Sequence, residues 1–192
     1  MKVVETGIEG LVIIEPQVFG DERGFFMETF QARKFAELGL PTHFVQDNHS
    51  RSGKGILRGL HIQKHNTQGK LVRVTAGEVY DVAVDLRQGS PTYGEWRGVY
   101  LSDENRKMLW VPEGFAHGFY VTSESADFVY KCSDYYAPEH ELSIAWDDPQ
   151  LNIEWPIGYK EKPQLSPKDM SAVPFSEACS WKLEAGSWKQ EF

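Results

Sequence analysis

Cysteine is scarce: Cys132 and Cys179 are the two in 192 residues. Two thiols cannot build a disulfide framework, and free thiols suit a reducing compartment. No apolar run approaches the ~20 residues that span a bilayer. The opening stretch Met1-Lys2-Val3-Val4-Glu5 lacks the apolar core of a signal peptide. The expectation is a soluble cytoplasmic protein with no membrane partner. Positive charge is also short, since 20 Lys and Arg against 28 Asp and Glu leave −8. Such a chain has no general attraction for DNA or RNA, so nucleic acid is not an expected partner. An anionic ligand must be held by a local group of cations.

What is present points to one folded domain of strands. Hydrophobic residues at 41% and charged residues at 25% are ordinary globular usage and argue against disorder. Aromatics at 13%, with 17 Gly and 10 Pro, suit strands joined by turns. Strands are expected at Leu11–Glu15, Gly24–Phe30, Lys70–Thr75, Glu78–Leu86, Glu95–Leu101, Lys107–Val111, Gly118–Thr122, Asp127–Tyr135 and Ser143–Trp146. In Glu78–Leu86, Tyr80, Val82, Val84 and Leu86 share one face, while Asp81 and Asp85 share the other. Gly77 stands where a hairpin would join this run to the one before it. One helix is expected, capped by Thr29, with Phe35 and Leu38 on its apolar side, Gly39 at its end and Pro41 beyond. Many short, evenly spaced strands imply an antiparallel barrel or double sheet. Beyond Trp155 the prolines at 156, 163, 167 and 174 suggest a wrap over the barrel. The single domain is placed at 1–175, with a tail of unassigned role at 176–192.

Two clusters carry possible chemistry. In Arg58-Gly59-Leu60-His61-Ile62-Gln63, strand alternation puts His61 and Gln63 on one side and Arg58 on the other. The second, Pro112-Glu113-Gly114-Phe115-Ala116-His117-Gly118, resembles the second cupin signature Pro-x-Gly-x-x-His, with Val121 where an Asn often closes it. The first cupin signature survives only in outline. His61-x-Gln63 replaces His-x-His, and Lys70, with six residues between it and Gly77, replaces the metal-binding Glu. An ammonium repels a divalent cation, and an amide is a poor substitute for imidazole on a transition metal. The expected pocket is therefore one without metal ligands, an all-β cupin jelly roll (double-stranded β-helix) with a few short helices.

Further stretches make the resemblance specific. They are Phe19-Gly20-Asp21-Glu22-Arg23-Gly24-Phe25-Phe26-Met27-Glu28, Val45-Gln46-Asp47-Asn48-His49-Ser50, Gly69-Lys70-Leu71-Val72-Arg73-Val74, Tyr130-Lys131-Cys132-Ser133-Asp134-Tyr135-Tyr136 and Leu165-Ser166-Pro167-Lys168-Asp169. In this order, over about residues 1 to 170, they resemble the cupin-fold, RmlC-type dTDP-4-dehydrorhamnose 3,5-epimerase family. The loop at Lys64–Thr67 lacks the family's prolines, and Asp147 replaces an expected Asn.

The resemblance implies a cofactor-independent isomerase with dTDP-4-dehydro-6-deoxy-D-glucose as substrate. The C4 ketone makes the C3 and C5 hydrogens acidic, and each centre needs a base, an enolate stabiliser and an acid on the opposite face. The implied base is His61 with Asp169 orienting it, the stabiliser is Lys70 and the acid is Tyr130. As bare residues, Asp169 better suits a helix cap or a loop carboxylate and Tyr130 a core or belt aromatic, while Lys70 also suits a sheet edge; Tyr135 and Tyr136 are rivals for a hydrogen-bonding role. The implied substrate contacts are Arg23, Phe26, Glu28, Gln46, Asp47, Asn48, Arg58, Gln63, Lys70, His117, Glu141 and Lys168. The resemblance also implies a homodimer whose N-terminal segment crosses to the partner's barrel. An epimerase acting at C3 or C5 alone is the alternative.

Overall fold

A computed structural model describes residues 1–178, 180 and 181; Cys179 and residues 182–192, with Trp188, lie outside the described residues. The chain opens with β1 (Lys2–Glu5), β2 (Val12–Glu15), β3 (Val18–Asp21) and β4 (Gly24–Met27), then α1 (Ala32–Glu37). β5 (Gln46–Gly53), β6 (Leu57–Gln63), β7 (Lys70–Ala76), β8 (Glu78–Asp85) and β9 (Trp96–Ser102) follow. After these come β10 (Met108–Val111), β11 (Phe115–Val121), β12 (Ser125–Cys132) and β13 (Glu141–Ser143), and last the short helices α2 (Pro167–Met170) and α3 (Phe175–Ala178).

Six strands form an antiparallel sheet in the order β1-β2-β10-β7-β12-β5, and five form another in the order β13-β6-β11-β8-β9. The sheets face each other across a core containing Val72, Val74 and Phe128 from one and Val79, Ala83 and Phe119 from the other. Phe119 and Phe128 stack across that gap at 4.2 Å between centroids. This is the expected jelly roll. A core ring such as Phe128 contributes about 3–5 kcal/mol relative to alanine.

The alternation in β8 is correct, but both of its faces are covered. Val79 and Ala83 join the core between the sheets, while Val82, Val84 and Leu86 join a second cluster with Ile144, Leu151 and Ala178. That second cluster is the C-terminal wrap lying on the outside of the five-stranded sheet. Asp81 and Asp85, both fully buried, therefore need partners on the inner side.

Three local expectations are corrected. Gly77 does not close a hairpin: β7 pairs with β10 and β12, while β8 pairs with β11 and β9, so Gly77 carries the chain from one sheet to the other. A Cβ there would lie 1.9 Å from the Ser125 carbonyl oxygen, and φ is +76°. Only glycine fits that corner. The cap of α1 is Gln31, whose side chain accepts from the Lys34 amide at 2.7 Å, in place of Thr29. Phe35 is buried as expected, but Leu38 is partly exposed at the C-cap. Arg58 does not oppose His61. His117 pairs with His61 and Phe119 with Arg58, so Gly59 and Leu60 of β6 stand opposite the single Gly118 of β11. This bulge brings Arg58 back to the His61 face. It forms where Gly59 lacks a Cβ that would sit 2.5 Å from the Gly118 Cα.

Candidate active site

The inner faces of the two sheets meet in a cavity lined by His61, Gln63, Gln68, Lys70, Tyr130, Tyr136 and Glu141, among others. The five-stranded sheet supplies His61 and Gln63 from β6 and Glu141 from β13. The six-stranded sheet supplies Lys70 from β7 and Tyr130 from β12. Lys70 and Cys132 are cross-strand partners, and Tyr130 lies two residues from Cys132 on the same face. Base and phenol candidates thus stand on opposing walls.

His61 Nε2 lies 2.5 Å from Asp169 Oδ1. The cap of α2 is Ser166, not Asp169, which lies in the first turn of that helix. The Ser166 hydroxyl accepts from the Asp169 amide at 3.1 Å, and Asp169 Oδ2 accepts from that hydroxyl at 2.8 Å. The helix start thereby fixes the carboxylate that meets the imidazole. Burial pushes the Asp169 carboxyl up, but His61, the Ser166 hydroxyl and the Lys168 charge outweigh it and hold it below the usual range.

Glu141 stands at the other edge of His61, with Oε1 3.7 Å from Nδ1. Its Oε2 accepts from the Tyr136 hydroxyl at 2.6 Å and pairs closely with the Lys168 ammonium. Burial raises the Glu141 carboxyl, but the bonds from Lys168 and Tyr136 more than offset this and keep it low. The hydrogen bond to Glu141, aided by burial, pushes the Tyr136 phenol up to about 12. Burial likewise raises Tyr130, so both phenols are protonated at neutral pH. Burial pulls the Lys70 ammonium below the usual lysine range, opposed by the nearby Cys132, Glu141 and Asp81.

The other expected contacts divide. Gln46 and Asn48 project from β5 on the Tyr130 side and bond to each other at 3.1 Å. Asp47 stands on the opposite face of β5, paired with Lys131 at 2.5 Å. Arg58 donates to the Ser52 hydroxyl at 3.0 Å, and its charge reaches Tyr130. Gln63 lines the cavity, yet its amide is committed to the loop: it donates to the carbonyls of Asn66 and Tyr135 and accepts from the Ala137 amide. His117 bonds both carboxylate oxygens of Asp81, at 2.8 and 3.0 Å, and does not line the cavity. Arg23, Phe26 and Glu28 lie on or beside the β3–β4 hairpin, which pairs with neither large sheet. Arg23 pairs with Asp21 and Glu28 with Lys34, while Phe26 is 69% exposed.

The sequence pattern assigns Asp81 no role, and its signal there is an aspartate alternating with apolar residues along β8. Among the described residues, no three His, Cys, Asp or Glu side chains converge as a metal-binding set.

A jelly roll that collects an oriented imidazole, an ammonium and two phenols around one cavity has the scaffold of a cupin-type isomerase, one that moves protons at carbon. The chain belongs to the dTDP-4-dehydrorhamnose 3,5-epimerase family, whose model matches residues 5–177. The protein of that name from Pseudomonas aeruginosa is 55% identical over 93% of this chain and 98% of its own length. The Legionella pneumophila 3,5-epimerase, solved in complex with dTDP-4-keto-L-rhamnose, is 61% identical with a TM-score of 0.88, covering 91% of this chain and 93% of that one. A 4-keto-6-deoxy sugar epimerase from Streptomyces spheroides has a TM-score of 0.90 at 39% identity, covering 99% and 96%.

Proposed function

We propose that this isomerase converts dTDP-4-dehydro-6-deoxy-D-glucose to dTDP-4-dehydro-L-rhamnose, with His61 as base, Lys70 as enolate stabiliser and Tyr130 as acid. The observation that carries this reading is the placement of His61 and Tyr130 on facing walls with Lys70 between the sheets.

Asp169 accepts Nε2–H and leaves the Nδ1 lone pair of His61 free toward the cavity. That nitrogen removes the hydrogen from carbon beside the ketone. The electron pair moves into the carbonyl, and negative charge develops on oxygen. Lys70 is a fixed cation in a desolvated wall, where one such donor is worth about 3 kcal/mol at the transition state. Tyr130 then delivers a proton from the other side of the ring, which inverts the centre. Gln46, Asn48 and Arg58 border the Tyr130 side and suit contacts to the sugar nucleotide.

Arg23, Phe26 and Glu28 suit a different role. Phe19, Phe25 and Phe26 are exposed on the hairpin, a concentration of apolar rings that favours a covering surface. In a homodimer with exchanged hairpins, these residues would serve the neighbouring chain's cavity. A cytoplasmic location completes the reading. Among the described residues, no helix is long and apolar enough to cross a membrane.

The test is proton NMR of the protein with the 4-keto sugar nucleotide in D2O. Deuterium is expected at both C3 and C5, with inversion at each. Label at one carbon alone would assign a mono-epimerase, and label at neither would reject the reading.

A further inference from the structure

Two inversions by one base and one acid create a stranded proton. After the first centre, His61 holds the hydrogen taken from carbon and Tyr130 has given up its own. Neither group can act at the second carbon until His61 is emptied and Tyr130 refilled. Resting on the epimerase reading above, the structure must therefore offer His61 a way to lose its proton.

Asp169 is a poor exit. It is 4% exposed, and its second oxygen is bound by Ser166. Glu141 is differently placed. Its Oε1 faces the other imidazole nitrogen at 3.7 Å, a gap that one water or a small rotation closes. Its Oε2 is bound by the Tyr136 hydroxyl and by Lys168, on the side away from His61. Glu141 and Tyr136 line the inner cavity of His61, Lys70 and Tyr130, and they also line an open groove of about 420 Å³ with Lys168, Ser171 and Glu177. Among the described residues, no other lines both. The carboxylate thus stands between the cavity that holds the base and the open groove.

We propose that Glu141 is the proton exit of His61, the group that resets the base between the two carbons. The imidazolium N–H bond breaks as a Glu141 O–H bond forms, and the carboxylic acid then yields that proton to water in the outer groove beside Tyr136 and Lys168. The Tyr130 phenolate takes one proton from water. Charge and protons balance, and the enzyme returns to its starting state with one centre inverted.

The experiment follows both carbons by NMR in D2O, using full-length wild type and Glu141→Gln with the 4-keto sugar nucleotide. In Glu141→Gln, the two inversions are expected to slow unequally. The second is expected to slow at least tenfold, so a singly inverted sugar accumulates. In Glu141→Ala, added formate should restore the second inversion in proportion to its concentration, while wild type ignores it. Tyr136→Phe, which keeps the carboxylate, should slow the second centre by a smaller factor and covers the case of a poorly folded Glu141 variant. Equal slowing of both carbons, or the absence of formate rescue, would overturn the proposal and leave Glu141 as an ordinary contact. Failure of wild type to exchange at either carbon would instead overturn the epimerase reading itself.

Discussion

Two imidazole–carboxylate pairs stand side by side in this barrel, on strands that are hydrogen-bonded neighbours. His61 and His117 are cross-strand partners, and each bonds a carboxylate through Nε2. The first pair opens onto the cavity: the His61 side chain is 25% exposed and its second nitrogen is unblocked by Asp169. The second is sealed, with His117 at 7% and Asp81 at 0%. Identical functional groups thus meet different surroundings because of where the sheet places them. An imidazole needs both an orienting carboxylate and an approach path to act as a base, and only His61 has both.

Substitution can break that contrast. The largest expected effect is on the open pair: His61→Ala should lower solvent exchange at C3 and C5 by 10²–10⁴-fold, roughly the value of a positioned base. Ligand binding, followed by calorimetry with dTDP, should be little changed. The sealed pair should respond in stability instead. Asp81→Ala leaves a buried imidazole without its acceptor and should lower unfolding free energy by about 1–3 kcal/mol, read from urea midpoints. A result in which His61→Ala unfolds the protein and Asp81→Ala only slows it would reverse the assignment.

A third, smaller effect sharpens the comparison by asking how Asp81 touches the chemistry. In the proposed mechanism Lys70 must be charged to hold an enolate, so activity should fall as pH rises through its pKa. Burial sets that pKa below the 10.5 of a free lysine, and Asp81 opposes the shift. The alkaline limb of the rate profile should therefore lie below 10.5 in wild type, move lower in Asp81→Asn and move up in Lys70→Arg. A limb unmoved by both substitutions would detach it from Lys70.

The smallest effect concerns acid stability. The Asp169 carboxyl is held below its ordinary 3.8, so the unfolded chain binds that proton first as pH falls. Its contribution is present above 3.8 and disappears as pH drops through the lower folded value. Asp169→Asn should be less stable than wild type at pH 6, and the difference should shrink as pH falls below 3.8 in urea titrations.

Much of this arrangement was readable from the sequence because it depends on local pattern. The replacement of a metal-binding Glu by Lys70 is visible in the spacing to Gly77, and the alternation of β8 is visible in its residues. What was not readable depends on partners far along the chain. A positive-φ glycine looks the same in a hairpin as at a crossing between sheets, so Gly77 alone could not reveal that β7 and β8 part company. Strict alternation put Arg58 on the wrong face because a bulge is a property of two strands, and β11 contributes the opposing Gly118. Asp169 looked like a helix cap, but Ser166 caps α2. The bond between Asp169 and His61 is a tertiary contact that no local pattern encodes.

The crossing at Gly77 has a further consequence. Lys70 and Asp81 ride on one unbroken ribbon folded over at that glycine, so the cavity's cation and its hidden counter-charge keep their spacing through local geometry. His61 has no such guarantee, because its carboxylate arrives from 108 positions downstream. The imidazole meets its carboxylate only where the trailing strap seats α2 against the barrel.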